Sequence, residues 1–440
     1  MKTIEIGGVK LGPDRMPVIC APITAGSIVE IMHHAEKIAD SPADIVEFRA
    51  DWLDDTGFLN SNTVDAALRT IRNILPGRPV LFTLRTMKEG GKADVRDDEY
   101  VEIAEAAADS GYIDAIDLEF SRECVSSGLL PSLMRSKDIR TVLSFHDFTR
   151  TPSADEIIAH MNEMASCGAD VIKTAVMPQS DSDLLSVLTA SEQLKRTCET
   201  PFILISMSGQ GVLSRVCGGQ FGSVLTFASA GRASAPGQLD ADTTDMMLRA
   251  LYRASRPPQK KFKMELTGRG NIVLGGFMGT GKSSSAEKIA LYADFKPVEM
   301  DQIIEEKAGM TIPEIFSELG EKAFRDMETK LCRELSEESG LVISTGGGTL
   351  LRQENVDALK KNGVVFLLEA EPETVLARLE KSSVKRPKLE GHMNRGYISW
   401  LMKQRYDAYT SAADAVIYVD DLTPGGTAVR ILSAAGLIPD

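Results

Sequence analysis

Two sets of residues in this chain have the types and spacing to do chemistry. The first is the run Gly276 to Ser283, G-F-M-G-T-G-K-S, a match to G-x-x-x-x-G-K-[ST]. Gly276, Gly279 and Gly281 let the backbone turn its N–H groups inward as a nest for phosphate oxygens, with Thr280 within the loop and Ser284 opening the next helix. Lys282 is spaced to reach the β- and γ-phosphates, and the Ser283 hydroxyl to ligate Mg²⁺. The second set ends a series of apolar runs: E-F-R-A-D (Glu47, Arg49, Asp51), T-L-R-T-M-K-E-G-G (Arg85, Glu89), S-F-H-D-F (His146, Asp147) and V-I-K-T-A (Lys173). Ionisable groups there are costly unless paired or used. Lys173, midway along an apolar run, is a desolvated primary amine of the kind that attacks carbonyls. His146 is the one histidine of five that ends such a run, and so the natural proton carrier.

The elements that must position these groups follow from periodicity. Strand-like runs lie at Pro17–Ile23, Ile45–Trp52, Pro79–Arg85, Ala115–Phe120, Thr141–Phe148, Val171–Met177, Phe202–Met207 and Val224–Ala228. Amphipathic stretches of helical period alternate with them, such as Tyr100–Ser110 and Asp155–Ser166. Eight such units fit a (β/α)8 barrel, with a doubly wound open sheet as the alternative. A Pro- and charge-rich segment at 254–268 reads as a linker between a domain at 1–253 and a second at 269–440. The second is read as a P-loop αβα domain with a central parallel sheet. Its strands are expected at Asn271–Gly275, Val298–Met300, Leu341–Ser344, Val364–Leu368 and Ala415–Val419.

The 440 residues carry a net charge of −14, which argues against general binding to nucleic acid or a membrane surface. There is no apolar run of 18 residues, and the six cysteines form no C-x-x-C pair. A reduced, cytoplasmic enzyme is expected.

With these residues in view, the first 253 positions resemble the type I 3-dehydroquinate dehydratases. Further matches are D-x-E, M-P-Q-S, S-M-S-G-x-G-x-x-S-R and S-A-P-G-Q. The resemblance implies dehydration of 3-dehydroquinate through an iminium on Lys173, with His146 moving protons and Glu89 orienting or charging it. Arg215 is implied to bind the substrate carboxylate. Glu47, Arg49 and Arg85 hold ring hydroxyls and shape the pocket, and Ser234 and Gln238 lie on a loop that closes over it. No cofactor is implied, because the amine supplies the electron sink. The resemblance leaves room for a homodimer through the barrel.

Beyond the phosphate loop come V-E-M-D (Glu299, Asp301), F-R-D-M-E (Arg325), S-T-G-G-G-T (Ser344 to Thr349), S-V-K-R-P (Arg386) and K-Q-R-Y (Arg405). In this order they resemble shikimate kinase, which implies ATP and shikimate as substrates and Mg²⁺ as cofactor. Asp301 then contacts the acceptor hydroxyl. Arg325 and Arg405 grip the carboxylate, and Gly347 and Gly348 let backbone approach the ring. Arg386, on a lid at Glu380–Arg395, neutralises phosphoryl charge. Ser283, Glu299 and Ser344 form the metal surroundings. Asp-x-Asp is usual in that family, and Glu299 departs from it. Spacing alone places Glu299 and Asp301 on one face of a strand end.

The two activities are separated by a reduction, so no hand-over within the chain is expected. Two other readings are a class I aldolase-type enzyme joined to a gluconate kinase-like one, and a metabolite-sensing regulator. The E-G-G, H-D-F and S-A-P-G-Q set, with Arg325 and Arg405, speaks against the first. The intact chemical residues Lys173, His146, Lys282 and Asp301 speak against the second.

Overall fold

A computed structural model describes residues 1–13, 15–54, 57, 59–231, 235, 237–255, 270–381, 389 and 391–438. The chain divides into two compact units, Met1–Arg256 and Pro257–Asp440. The expected linker falls almost wholly on residues outside those described, as do Ser234 and Arg386.

The first unit begins with a hairpin, β1 (Ile4–Ile6) and β2 (Val9–Leu11), which the sequence reading did not anticipate. Eight parallel strands follow: β3 (Val18–Ile23), β4 (Ile45–Arg49), β5 (Val80–Thr83), β6 (Ala115–Glu119), β7 (Arg140–Asp147), β8 (Val171–Val176), β9 (Phe202–Ser206) and β10 (Leu225–Phe227). They pair in the order β10-β3-β4-β5-β6-β7-β8-β9. A parallel bridge from Phe202 to Ser223, with Val224 N–H donating to Phe202 O at 3.0 Å, joins the last seam. The sheet therefore closes, and the open-sheet alternative is set aside.

Alternation of side chains along each strand divides the barrel into two cores. Ile19, Phe48, Phe82, Leu118, Leu143, Ile172 and Leu204 point outward and pack with buried helix residues such as Ile31, Leu68 and Met161. Val18, Cys20, Ile45, Leu81, Ala115, Val142, Val171, Ile203 and Leu225 form an inner cluster together with Ile6 and Leu11 of the hairpin. These inner residues lie toward the strand N-termini, so the hairpin covers that mouth and leaves the polar groups at the opposite end.

The strand starts share one device. Asp44, Asp114 and Asp170 each stand just before a strand, and each accepts the backbone N–H of a residue at the start of the neighbouring strand: Ile19 (2.9 Å), Val80 (2.8 Å) and Thr141 (2.9 Å). Asp114 also takes Arg72 Nη2 at 2.7 Å. Removing it leaves the Val80 N–H unpaired and Arg72 with only the carbonyls of Arg78 and Tyr112, so Asp114→Ala is expected to destabilise the barrel by about 1–3 kcal/mol in urea unfolding.

The second unit has a parallel sheet of β11 (Asn271–Gly276), β12 (Lys296–Glu299), β13 (Leu341–Ser344), β14 (Gly363–Glu369) and β15 (Ala415–Tyr418), ordered β12-β13-β11-β14-β15. Asp414 repeats the same device on Val365 N–H at 2.9 Å. The phosphate-loop strand β11 is central, so its loop emerges at the carboxyl edge where flanking loops converge. No helix among the described residues is long and apolar enough to cross a membrane.

Candidate active sites

Inside the barrel, the inward positions change from apolar to charged above the hairpin-covered layer. Glu47 on β4, Asp117 and Glu119 on β6, Ser144 and His146 on β7 and Lys173 on β8 all face inward, with Arg85 just beyond β5. All are buried except His146, whose side chain is about 10% exposed. Lys173 Nζ donates to Asp117 Oδ2 at 3.1 Å and lies 4.4 Å from the centre of the Phe227 ring. Arg85 is the hub beside it. It donates to Asp117 (2.6 Å), Ser144 Oγ (2.9 Å) and Glu119 (3.3 Å), and reaches Glu89 at 3.5 Å. Its guanidinium is thus engaged by protein carboxylates, a pocket-shaping arrangement. Glu119 is fixed in turn by Thr86, whose N–H and Oγ1 both donate to it at 2.7 Å.

Glu89 sits in a one-turn helix, Met87–Glu89, and accepts from Ser121 Oγ at 2.6 Å. Its other oxygen lies 2.9 Å from His146 Nδ1. Gly90 follows with φ +78°, and a Cβ there would lie 2.3 Å from the ring of Phe148, which stacks on His146. Burial pushes the Glu89 carboxyl up to about 7, aided by Glu119 and Asp117 and opposed by Arg85 and Ser121. Burial holds His146 well below its ordinary value, reinforced by Arg85, Lys173 and Arg49. The contact is therefore a hydrogen bond between an uncharged imidazole and a carboxyl titrating near neutrality, not a fixed ion pair.

One proton then decides the tautomer. As a carboxylate, Glu89 accepts from Nδ1–H and leaves Nε2 with its lone pair. As an acid, it donates to Nδ1 and Nε2 carries the hydrogen. The base-competent form is present above the raised value, so dehydration should climb with pH through about 7. In Glu89→Gln this limb should flatten, as a pH profile of kcat/KM would show; because the pair is coupled, the apparent value belongs to both residues.

Other candidates lie around this cluster. Thr83 Oγ1 donates to Glu47 at 3.0 Å, and Arg49 makes a two-pronged pair with Asp51 at 2.8 Å on each arm. Arg215, buried, is on the short helix Val212–Val216 after β9, beside the strand of Lys173. Burial lowers it to about 10, the opposite direction from Arg85, which its carboxylates raise. Gln238 is half-buried on the segment after β10, where Gly237 (φ +75°) passes so close that a Cβ would sit 2.0 Å from Ser208 O. Asp117 and Glu119 are the site residues that were read only as part of a motif. Two carboxylates on one face of a buried strand were the available signal.

In the second unit, the phosphate-loop residues from Met278 to Ser283, with Ser284, Glu299, Asp301, Ser344 and Gly347, line one cavity of about 400 Å³. Gly276, Gly279 and Gly281 all have positive φ (139°, 82° and 90°), which the loop's turn requires. Lys282 Nζ folds back onto Gly276 O (2.9 Å) and Phe277 O (3.1 Å). Ser283 Oγ donates to Glu299 at 3.1 Å and lies 3.5 Å from Ser344 Oγ. Burial raises the Glu299 carboxyl, with Asp301 adding to the shift and Ser344, Ser283 and Lys282 opposing it. A desolvated carboxylate and two hydroxyls are hard oxygen donors, which fit Mg²⁺.

The expectation that Glu299 and Asp301 share a strand face does not hold. β12 stops at Glu299 and a helix, Met300–Ala308, starts at once, so Asp301 stands in its first turn. Asp301 still reaches the site, since a Cβ on Gly346 would lie 2.7 Å from its Oδ1. Arg325 pairs with the buried Glu328 (2.5 Å) and with Glu321 (2.9 Å), pressed against Gly348. Arg405 donates to Gly347 O at 2.9 Å. Arg378, unforeseen, also lines the cavity and donates to Val419 O at 2.8 Å. It lay hidden in a plain helical pattern. Half of the expected lid, 382–388 and 390, lies outside the described residues.

Comparison with known proteins agrees with both halves. The family model for type I 3-dehydroquinase matches residues 19–255, and that for shikimate kinase matches 278–435. A 3-dehydroquinate dehydratase of Listeria monocytogenes serotype 4b is 38% identical over 253 residues, 58% of this chain and 99% of that protein. One from Escherichia coli is 37% identical over 255 residues, covering 58% and 100%. A type I 3-dehydroquinate dehydratase of Clostridium difficile, solved with covalently modified comenic acid, superposes with a TM-score of 0.55 at 33% identity, covering 57% of this chain and 99% of that one. The chain belongs to the type I 3-dehydroquinase family and carries, fused behind that barrel, a shikimate kinase domain of the same pathway.

Proposed function

We propose that the barrel dehydrates 3-dehydroquinate through a Schiff base on Lys173. The observation that carries this is the placement of Lys173 and His146 on adjacent strands β8 and β7, both facing one polar chamber with Glu89 behind the imidazole. The amine attacks the ring ketone, and the resulting iminium withdraws electrons so that a neighbouring C–H loses its proton to His146. The same imidazole returns a proton to the departing hydroxyl, which leaves as water, and a second water then hydrolyses the conjugated iminium, breaking the C=N bond to release the enone and the Lys173 amine. Arg215 binds the carboxylate, Glu47, Arg49 and Arg85 set the pocket walls, and the segment with Ser234 and Gln238 closes over the substrate, excluding water from the iminium.

In the kinase, Asp301 orients the shikimate hydroxyl and accepts its proton during phosphoryl transfer. Arg325 and Arg405, flanking the backbone at Gly347 and Gly348, take the carboxylate. Lys282, the loop amides and Arg386 bind and neutralise the ATP phosphates, and Arg378, Leu379 and Pro424, which also line the cavity, take the base. Ser283, Glu299 and Ser344 would hold Mg²⁺, directly or through water, which supplies charge neutralisation between phosphate oxygens. Free cysteines at all six positions support a reducing, cytoplasmic setting, and self-association through the barrel belongs to the same reading.

Two assays test it together. Added 3-dehydroquinate should raise ultraviolet absorbance as the enone forms, and borohydride during turnover should fix an adduct on Lys173. ADP release should require shikimate, and gluconate should not replace it. No enone and no adduct would defeat the barrel assignment.

A further inference from the structure

A question is left by the residue nearest the reacting amine, which is neither His146 nor Glu89 but Asp117. We propose that Asp117 is the standing counter-ion of the nitrogen that becomes the iminium, with the Phe227 ring as its second, weaker partner. The inference rests on the Schiff-base reading above.

The geometry carries it. Asp117 Oδ2 takes Lys173 Nζ at 3.1 Å, while Oδ1 is held by Arg85 Nη2 and Ser144 Oγ, each at 2.6 Å. The carboxylate is therefore fixed by three donors from three different strand ends, with no exposed surface on its side chain. Phe227 presents its ring at 4.4 Å, a distance at which a π-face attracts a cation. A site walled by an anion and an aromatic face suits a positive nitrogen throughout. Despite burial, Arg85, Lys173 and Ser144 hold Asp117 down at about 2, so it stays ionised and is too weak a base to relay protons.

Charge bookkeeping explains why such a residue is needed. An ammonium and a ketone give an iminium and water: the C=N bond replaces C=O, and two protons leave the nitrogen on the departing oxygen. Nitrogen carries one positive charge before and after. With Asp117 fixed beside it, a desolvated pocket undergoes the step without a net change of charge, and His146 has only to relay protons between nitrogen and oxygen. Cys20, Glu47, Arg85 and His146 also act on this region, but Asp117 is the group bonded to Nζ.

The test compares the full-length wild type with Asp117→Asn, Asp117→Glu and Phe227→Leu. Intact mass after borohydride quenching during turnover gives the fraction carrying the adduct. Calorimetry gives the Kd of a cyclohexane polyol carboxylate with a hydroxyl in place of the ketone. Asp117→Asn should lower the adduct fraction about 10-fold or more, the size of a neighbouring-charge effect, and leave that Kd within about 3-fold. Asp117→Glu should restore part of the adduct. An unchanged adduct in Asp117→Asn, or an equal loss of adduct and ligand binding, would overturn the proposal. Absence of adduct in the wild type would instead defeat the covalent reading. If circular dichroism shows Asp117→Asn unfolded, Phe227→Leu decides: about a 2- to 5-fold loss is expected, and no loss overturns it.

Discussion

Lys173→Ala should abolish dehydration, with a fall on the order of 10⁴–10⁶-fold, while shikimate-dependent ADP release by the same chain continues at the wild-type rate. Losses of that size are typical when a covalent nucleophile is removed and only binding and proton transfer remain. Among the described residues, no other cation of the chamber can replace the amine. Arg85 is tied to three carboxylates, and Arg49 to Asp51. Lys92 is committed to the face of Trp52, 4.6 Å from its ring centre. A coupled absorbance assay for each activity on one preparation reads both outcomes. Parallel loss of kinase activity would show that the two halves depend on each other, contrary to their separate cores.

The converse variant is Asp301→Asn. Phosphoryl transfer should drop about 10²–10⁴-fold, the usual weight of a positioned proton acceptor, and dehydration should not change. The Kd of ATP should stay close to wild type, because the phosphate contacts are proposed to come from the loop at Gly276–Ser283 and not from Asp301. Asparagine keeps the shape against Gly346, where there is no room for a larger rearrangement. Isothermal titration with a non-hydrolysable ATP analogue separates the two effects. A large rise in that Kd would mean that Asp301 holds the nucleotide through the metal, the role assigned here to Glu299.

Much of this was legible in the sequence because it is local. The phosphate loop declares itself through glycines whose φ values only that residue accepts easily, and the eight barrel strands through short apolar runs. Lys173 stood out because a lysine in V-I-K-T-A has no cheap structural reason to be there. What stayed hidden depends on neighbours distant in sequence. Asp117 takes its importance from Arg85, Ser144 and Lys173, which lie 32, 27 and 56 positions away. Glu328 likewise gains its role by holding Arg325 and receiving Thr349 Oγ1 at 2.6 Å. The misplacement of Asp301 has a different cause. A strand of four residues that turns straight into a helix has too few positions for its alternation to show where it stops. The first hairpin was missed for the same reason, although I-E-I-G-G-V-K-L alternates about a Gly-Gly turn.

That hairpin has a consequence for traffic. With Ile6 and Leu11 sunk among the lower strand residues, the hairpin plugs the amino end of the barrel. On the proposed reading, substrate enters and products leave at the opposite, carboxyl end of the strands, where Gln238 lies. Deleting residues 1–11 would open the amino end, wetting Cys20 and the floor beneath Lys173.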